Sequence, residues 1–243
     1  MNKKILRAAA LSLALCLIFG AVAVPAYAAK KKKDRSEITI GIDPGHQSKA
    51  DTSKEPDGPG SSTKKYKVTG GTSGKYSHLA EYKLTLQVAK KLKKELESRG
   101  YKVVMTRTKN DVNISNSKRA KKLNKKCDIA IRLHADGAAS STAHGASMQC
   151  SSKKNKYISK LYSRCNKLSQ KVLDAYCKET GMKNRGIAYR DDLTGTNFST
   201  IPVTLIEMGF MSNKSDDTYM AKPKNQTKMA EGIADGIDDY FGF

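Results

Sequence analysis

Three largely apolar stretches of this chain are each followed by a side chain that can bind a metal ion. Residues 40–42 lead to His46, residues 129–133 lead to His134, and residues 203–206 lead to Glu207. Short apolar runs of this kind predict buried strands. Because the carboxyl ends of the strands form the ligand crevice of an open α/β sheet, we expect the two imidazoles and the carboxylate to meet at one edge. Two His and a carboxylate are the ligand chemistry of a hydrolytic zinc site.

The rest of the sequence alternates between strand-like and helix-like patterns, apart from a long polar loop predicted for residues 47–76. Strands are predicted at residues 37–43, 101–106, 128–134, 145–150, 186–189 and 202–207. Helices are predicted at residues 77–99, 115–126, 155–180, 216–219 and 227–240. This alternation predicts an α/β fold: a single domain with a largely parallel central sheet flanked by helices on both faces.

The chain begins with the pattern of an export signal. A basic start is followed by an apolar stretch over residues 8–24 and by Ala-Tyr-Ala at residues 26–28, a typical cleavage site. The apolar stretch is short for a spanning helix, although a retained membrane anchor is the alternative. We therefore expect a signal peptide over residues 1–28, a basic flexible tail over 29–36, one folded domain over 37–243, and no stable membrane anchor after cleavage.

The composition is strongly basic. The formal net charge is +22, and removal of Lys3, Lys4 and Arg7 with the signal peptide leaves +19. Such a charge favours retention on anionic cell-wall polymers, whereas solubility alone is the alternative. The chain has no helix-turn-helix pattern, aromatic platform or finger spacing, so we expect no binding to nucleic acid. The absence of repeats and linkers predicts one domain without a separate binding module, and we also expect a monomer.

The four cysteines after the signal peptide do not have the spacing of a zinc site. They are Cys127, Cys150, Cys165 and Cys177, and no pair forms a Cys-x-x-Cys motif. Cys165 and Cys177 lie on one predicted helix, about 18 Å apart, which is too far for a disulfide. We expect buried free thiols, and a bridge between Cys127 and Cys150 stays open.

Glu81 lies at the head of the apolar stripe on the helix predicted for residues 77–99. That stripe consists of Leu84, Val88, Leu92 and Leu96. A carboxylate that faces the sheet is costly to bury unless it is paired, and a metal ion at the sheet edge would remove the cost. In the alternative, Glu81 lies in solvent and complements the helix dipole. The sequence pattern does not decide between the two.

The other candidates also have two interpretations. The Pro-Gly turn before His46 holds its imidazole near the sheet edge, whereas a His in a loop is often only solvated. Arg132, on the same strand face as His134, needs an acidic partner if buried and can also bind a substrate carboxylate; on an edge strand it would lie in solvent. Glu207 can act as a general base beside the metal, or it can orient a ligand His.

These segments resemble the zinc-dependent N-acetylmuramoyl-L-alanine amidases, the type-3 class of peptidoglycan hydrolases. The matching pieces are Ile-Asp-Pro-Gly-His at residues 42–46, Glu81 at the start of a long helix, Arg-Leu-His-Ala-Asp at residues 132–136, and Pro-Val-Thr-Leu-Ile-Glu-Met-Gly-Phe-Met-Ser-Asn at residues 202–213. The chain departs from the family at Gln47-Ser48, where glycines are usual, and at Arg132 and Asp136, where the common form is Ser-Ile-His-Ala-Asn.

The resemblance implies that His46, Glu81 and His134 bind zinc and that Glu207 is the general base. It implies that residues 37–243 form an amidase domain, which cleaves the amide between the muramoyl lactyl group and L-alanine of peptidoglycan. The expected protein is thus a secreted hydrolase associated with a bacterial cell wall. The alternatives are a zinc carboxypeptidase or endopeptidase acting on cell-wall peptides, and a noncatalytic wall-binding protein.

Overall fold

A computed structural model describes residues 34–243 and confirms the predicted α/β fold. The strands are β1 (Thr39–Pro44), β2 (Asp51–Pro56), β3 (Lys64–Val68), β4 (Lys102–Met105), β5 (Ile129–Asp136), β6 (Ala146–Cys150), β7 (Asn184–Tyr189) and β8 (Val203–Phe210). The helices are α1 (Glu81–Ser98), α2 (Asn116–Asn124), α3 (Tyr162–Thr180), α4 (Thr194–Asn197), α5 (Lys214–Met220) and α6 (Pro223–Phe241). Two 3-10 helices cover Arg35–Glu37 and Ser159–Leu161.

The main sheet has the strand order β4-β1-β5-β8-β6-β7. Neighbouring strands are parallel except for β6 and β8, which are antiparallel. Strands β5 and β8 lie in the middle, and every residue of β8 is buried. Both faces of a parallel sheet are covered, which explains why these strands read as nearly continuous apolar runs.

Helices cover the two faces of the sheet through two hydrophobic clusters. In the larger cluster, α1, α3 and α6 contribute side chains that pack with Ile129, Ile131 and Leu133 of β5. In the smaller cluster, Leu123 of α2 packs with Ala130, on the opposite face of β5. The predicted alternation of side chains between the two faces of β5 is therefore confirmed. It places Arg132 and His134 on the same face as Ala130.

The segment predicted as a polar loop contains a hairpin instead. Strands β2 and β3 pair antiparallel as a separate two-stranded sheet. Glu55 anchors this hairpin to α2, because its carboxylate accepts a hydrogen bond of 3.0 Å from the backbone N–H of Ser117. The loop prediction was wrong because apolar alternation is confined to Tyr66 and Val68 of β3 and β2 shows none, so the pattern is too short to mark two strands.

Several element boundaries also differ from the predicted ones. Helix α1 begins at Glu81 rather than at residue 77, because the Ser77 backbone N–H is bonded to Asp217 at 2.8 Å and Ser77 does not cap the helix. Strand β8 continues beyond Glu207 to Phe210, and the short helix α4 had not been predicted. Despite these differences, every proposed site residue lies at or near the sheet edge that the sequence predicted for it.

The signal peptide predicted for residues 1–28 lies outside the described residues, as does most of the tail predicted for 29–36. The last part of that tail belongs to the fold instead. Asp34 caps the first 3-10 helix, and Arg35 Nε donates to Asp238 Oδ1 at 2.9 Å, so an ion pair orders this part. Within residues 34–243, no helix has the length and apolar character needed to cross a membrane.

The four cysteines of the folded domain are free, as expected. Cys127, Cys150 and Cys165 are buried, and Cys177 is partly exposed. The bridge between Cys127 and Cys150 that the sequence left open is not formed.

Candidate metal centre and active site

The structure brings His46, Glu81 and His134 together at the edge of the main sheet. Glu81 Oε1 lies 3.1 Å from His46 Nε2 and 3.1 Å from His134 Nδ1. The two imidazole nitrogens are themselves 3.1 Å apart, and their ring planes are nearly perpendicular at 80°. Among the described residues, this is the one group of at least three His, Cys, Asp or Glu side chains with metal-binding spacing.

His46 is held in a strained backbone conformation by hydrogen bonds to Arg119 and to Thr69, the residue that follows β3. Its φ of 59° lies in the left-handed region, which a non-glycine residue adopts only when its surroundings enforce it. Arg119 Nη2 donates to the His46 carbonyl at 2.9 Å, and His46 Nδ1 donates to the Thr69 carbonyl at 2.9 Å. Because Nδ1 carries the proton, the lone pair of Nε2 faces Glu81.

Glu81 points toward the sheet, so the interpretation as a solvent-exposed dipole partner is wrong. It is only 3% exposed, and its carboxylate accepts backbone N–H groups from Thr72 at 2.9 Å and from Ala135 at 3.1 Å. Burial alone would raise the pKa of Glu81, but the adjacent imidazoles of His134 and His46 outweigh it and hold that pKa below its usual range. Glu81 therefore carries a negative charge at neutral pH and can act as a metal ligand.

His134 lies near the end of β5 and is largely enclosed. Burial lowers the pKa of its imidazole to about 4, although the bond to Glu81 opposes that shift. The ring is thus neutral at physiological pH, as a metal ligand must be. Gly45 packs against its face: a Cβ at Gly45 would lie 2.4 Å from His134 Cε1, so only glycine fits there.

The three donor atoms fit a zinc ion in number, chemistry and spacing. Neutral imidazole nitrogens and a carboxylate oxygen are its usual ligands, at about 2.0–2.2 Å. In tetrahedral geometry, bonds of that length separate neighbouring donors by about 3.3 to 3.5 Å. The observed separations of 3.1 Å are close to that value. Three protein ligands leave the open position typical of a catalytic site.

Glu207 lies on β8 in register with His134 of the neighbouring strand β5. Gln149 Nε2 donates to Glu207 Oε1 at 2.9 Å, while Oε2 is buried without a hydrogen-bond partner among residues 34–243. Burial, and then the negative charges of Glu81 and Asp136, raise the pKa of Glu207 well above its usual value. No hydrogen bond joins Glu207 to either site histidine, which disfavours a role in orienting them. A buried carboxyl group with a raised pKa is a candidate for proton transfer.

Arg132 is buried on central strand β5, so the edge-strand interpretation is wrong. Its Nε donates to Asp43 Oδ2 at 2.9 Å, and its Nη2 donates to Asn116 Oδ1 at 3.0 Å. Asp43 also accepts from Arg119 Nη1 at 3.0 Å. Burial would raise the pKa of Asp43, but the charges of Arg119 and Arg132 outweigh it and keep that pKa far below its usual range. One buried carboxylate thus holds two guanidinium groups beside the site.

Asp43→Asn is expected to lower the free energy of unfolding by about 3 to 5 kcal/mol near pH 7, because Arg119 and Arg132 would lose their buried counter-charge. The folded pKa of Asp43 lies below the unfolded value of about 3.9, so its stabilisation is complete above that pH and declines as pH falls. Urea denaturation should therefore show that the difference in free energy of unfolding between wild type and variant becomes smaller as the pH is lowered. Asp239→Asn is the control, since its pair with Lys171 is exposed and should contribute less than about 1 kcal/mol. Equal losses in the two variants would contradict this account.

Two cavities meet at the metal centre. One of about 390 Å³ is lined by Glu81 and the two site histidines, together with Glu207. The other, of about 660 Å³, runs from His46, His134 and Glu207 past Arg132 to the hairpin. We call this larger cavity the cleft. Its volume is in the range of natural ligand sites.

Sequence reasoning did not identify the groups that orient the site. Thr69 bonds to His46, Thr72 to Glu81 and Gln149 to Glu207, yet none of them stands in a pattern that marks a functional residue. The other two histidines of the chain, His78 and His144, lie outside the metal-binding group.

Comparisons with known proteins agree with this geometry. Residues 40–239 match the family described as N-acetylmuramoyl-L-alanine amidase. A curated relative, the "Probable cell wall amidase LytH" of Staphylococcus epidermidis, is 30% identical over 172 residues, which cover 71% of this chain and 54% of that protein. The corresponding protein of Staphylococcus aureus is 28% identical over 213 residues, covering 87% and 61%. This chain thus spans little more than half the length of these curated relatives.

Solved amidase structures share the fold. The N-acetylmuramyl-L-alanine amidase Ami1 from Mycobacterium smegmatis matches with a TM-score of 0.78 and 23% identity, covering 86% of this chain and 99% of that one. The N-acetylmuramoyl-L-alanine amidase from Clostridium difficile 630 matches with a TM-score of 0.69 and 27% identity, covering 84% and 97%. The folded domain alone therefore corresponds to nearly all of each of these two chains.

Proposed function

This chain belongs to the N-acetylmuramoyl-L-alanine amidase family, and we propose that it hydrolyses the amide between the muramoyl lactyl group and L-alanine of the peptidoglycan stem peptide. One observation carries the proposal: the donor atoms of His46, Glu81 and His134 lie 3.1 Å apart, next to the buried carboxyl of Glu207. The family match supports the choice of bond, as do the names of two similar proteins, a probable cell wall amidase and an N-acetylmuramoyl-L-alanine amidase.

In the proposed mechanism, His46, Glu81 and His134 hold a zinc ion. When bound, zinc supplies Lewis-acid activation of water and of the scissile carbonyl. Glu207 accepts the proton of the attacking water and later donates it to the departing amine, which leaves poorly unless protonated. Its raised pKa suits both steps, and the hydrogen bond from Gln149 fixes which carboxyl oxygen stays free to react.

Arg132 is proposed to bind substrate. Its guanidinium lines the cleft that leads away from Glu207, and it uses Nε and Nη2 to contact Asp43 and Asn116. A planar guanidinium that is already oriented by two partners is suited to recognising a carboxylate.

Mass spectrometry of digested cell walls tests the proposed bond. The protein should release stem peptides free of muramic acid, with a new amino-terminal alanine, and a metal chelator should abolish this release. Loss of terminal residues from the peptide would instead indicate the carboxypeptidase alternative, and cleavage within it the endopeptidase. New reducing sugar ends without new amino-terminal alanine would indicate a glycosidase and exclude the proposal.

We further propose that the protein is secreted and acts at a bacterial cell wall. The export-signal pattern over residues 1–28 and the +22 formal charge support this proposal. The basic surface includes a shallow groove lined largely by lysines from α2 and the segment after it. These lysines are Lys118, Lys121, Lys122, Lys125 and Lys126. Such a surface is suited to anionic polymers of the wall.

Binding to intact walls is expected to weaken steeply as salt rises, because screening shortens electrostatic reach from about 8 Å at physiological ionic strength to about 3 Å at 1 M salt. Binding should also weaken on walls stripped of phosphate polymers. Sedimentation of the protein with walls across a salt series measures this. Hydrolysis of small uncharged substrates is the internal control and should change much less. Wall binding that stays constant from low to high salt would show that specific contacts retain the protein.

A further inference from the structure

The cleft has two walls that are tied together across its mouth. One wall is the β2–β3 hairpin, and the other is the segment between β7 and α4. Lys65 of the hairpin donates from Nζ to Asp192 Oδ2 at 2.7 Å, and Arg190 Nη2 lies 2.9 Å from the same oxygen. Glu55, the cross-strand partner of Lys65, also fixes the hairpin to α2. The hairpin is therefore a fixed wall of the active-site cleft.

Outside the three candidate metal ligands, the lining of the cleft is strongly basic. Two of the carboxyl groups that line the cleft, Glu207 and Asp136, also line the cavity beside Glu81 and so belong to the metal end. The third carboxylate of the cleft lining is Asp192, which is already paired with Lys65 and Arg190. The basic lining side chains are Lys54, Lys64, Lys65, Arg132 and Arg190. These cations exceed the carboxylates that could neutralise them.

Three of these basic groups have unused capacity to bind an anion. Lys54 and Lys64 are exposed, form no ion pair with any residue of the described domain, and lie on one face of the hairpin by the register of β2 with β3. Arg132 is only 6% exposed, yet its Nη1 has no acceptor within residues 34–243, since its two bonds use Nε and Nη2. A buried guanidinium with free N–H groups at a cleft wall is a site for a carboxylate.

We propose that Lys54, Lys64 and the free N–H groups of Arg132 form a subsite for a carboxylate on the peptide arm of the substrate. The proposal rests on the proposed function, because it requires the scissile amide to lie at Glu207. The lactyl carboxyl group is consumed in that amide, whereas the peptide on the amine side ends in a carboxylate unless it is amidated. The enzyme therefore prefers stem peptides with free carboxylates over amidated ones.

The test compares two soluble muramoyl peptides that differ only in whether their carboxylates are free or amidated. Wild type should cleave the free form with a kcat/KM about tenfold higher or more, because a charge-assisted hydrogen bond is lost on amidation. Lys54→Gln with Lys64→Gln should remove most of that preference, mainly through a higher KM for the free form. The control double variant, Lys90→Gln with Lys94→Gln, removes the same charge from the exposed side of α1 and should retain the preference.

Equal cleavage of both peptides by wild type would overturn the subsite and leave the amidase proposal intact. An unchanged preference in the Lys54 and Lys64 double variant would have the same meaning. Cleavage of neither peptide would contradict the proposed function instead. Calorimetric binding to Glu207→Gln protein then decides the subsite separately. Affinity for the free form should be about tenfold higher, and equal affinities would overturn the inference.

Discussion

Glu207→Gln is expected to reduce kcat on peptidoglycan by about 10²- to 10⁴-fold, the usual contribution of a general acid–base group. The amide has the shape of the carboxyl group and can still accept the hydrogen bond from Gln149, but it cannot take up or deliver a proton. Zinc content and thermal stability should therefore remain those of wild type. Release of amino-terminal alanine from purified walls, measured beside metal content, tests both expectations.

The pH profile gives a second, independent measurement of the same role. As a base, Glu207 must be ionised before each turnover, and its pKa is raised by burial and by the neighbouring carboxylates. The activity of wild type should thus fall as pH drops below that raised pKa, and the residual activity of Glu207→Gln should lack this acid limb. A variant that keeps activity within about tenfold of wild type would exclude Glu207 from proton transfer.

Removal of any one of the three proposed zinc ligands is expected to reduce activity at least as much as Glu207→Gln does. Loss of groups that merely orient metal ligands typically lowers metal affinity by about 10- to 100-fold, so His46→Ala, Glu81→Ala and His134→Ala should each exceed about 100-fold. Activity should disappear in parallel with bound zinc, since three protein ligands provide no redundancy. Competition with a chromogenic chelator measures the affinities.

His144→Ala is the matched control for these variants. His144 is exposed on a loop, outside the metal-binding group, so its removal should leave zinc affinity unchanged. If one of the three variants binds zinc as tightly as wild type, the residue substituted in it is not a zinc ligand.

The sequence predicted which side chains meet at the candidate metal centre, because their positions follow from the ends of strands. His46, His134 and Glu207 each follow an apolar run, and a parallel sheet brings such positions to one edge. Glu81 was ambiguous, because a first-turn carboxylate satisfies the helix dipole as well as a metal ion. The contacts with Thr72 and Ala135, distant from each other in sequence, decide its orientation.

The supporting structure could not be predicted in the same way. The hairpin that lines the cleft and leads directly to Thr69 has mostly polar strands, and its apolar alternation is limited to Tyr66 and Val68. Arg132 indicated a buried acidic partner, but the identity of that partner depends on the register of β1 with β5, which pairs it with Asp43. Short-range patterns report burial, whereas register and loop packing depend on contacts between distant segments.

X-ray anomalous diffraction at the zinc absorption edge, on protein purified without chelator, tests the central claim most directly. We expect one strong peak per chain, in contact with His46 Nε2, Glu81 Oε1 and His134 Nδ1, at distances near 2.0–2.2 Å. No peak at this position in zinc-supplemented crystals, or a zinc ion held by other side chains, would contradict the account of the site.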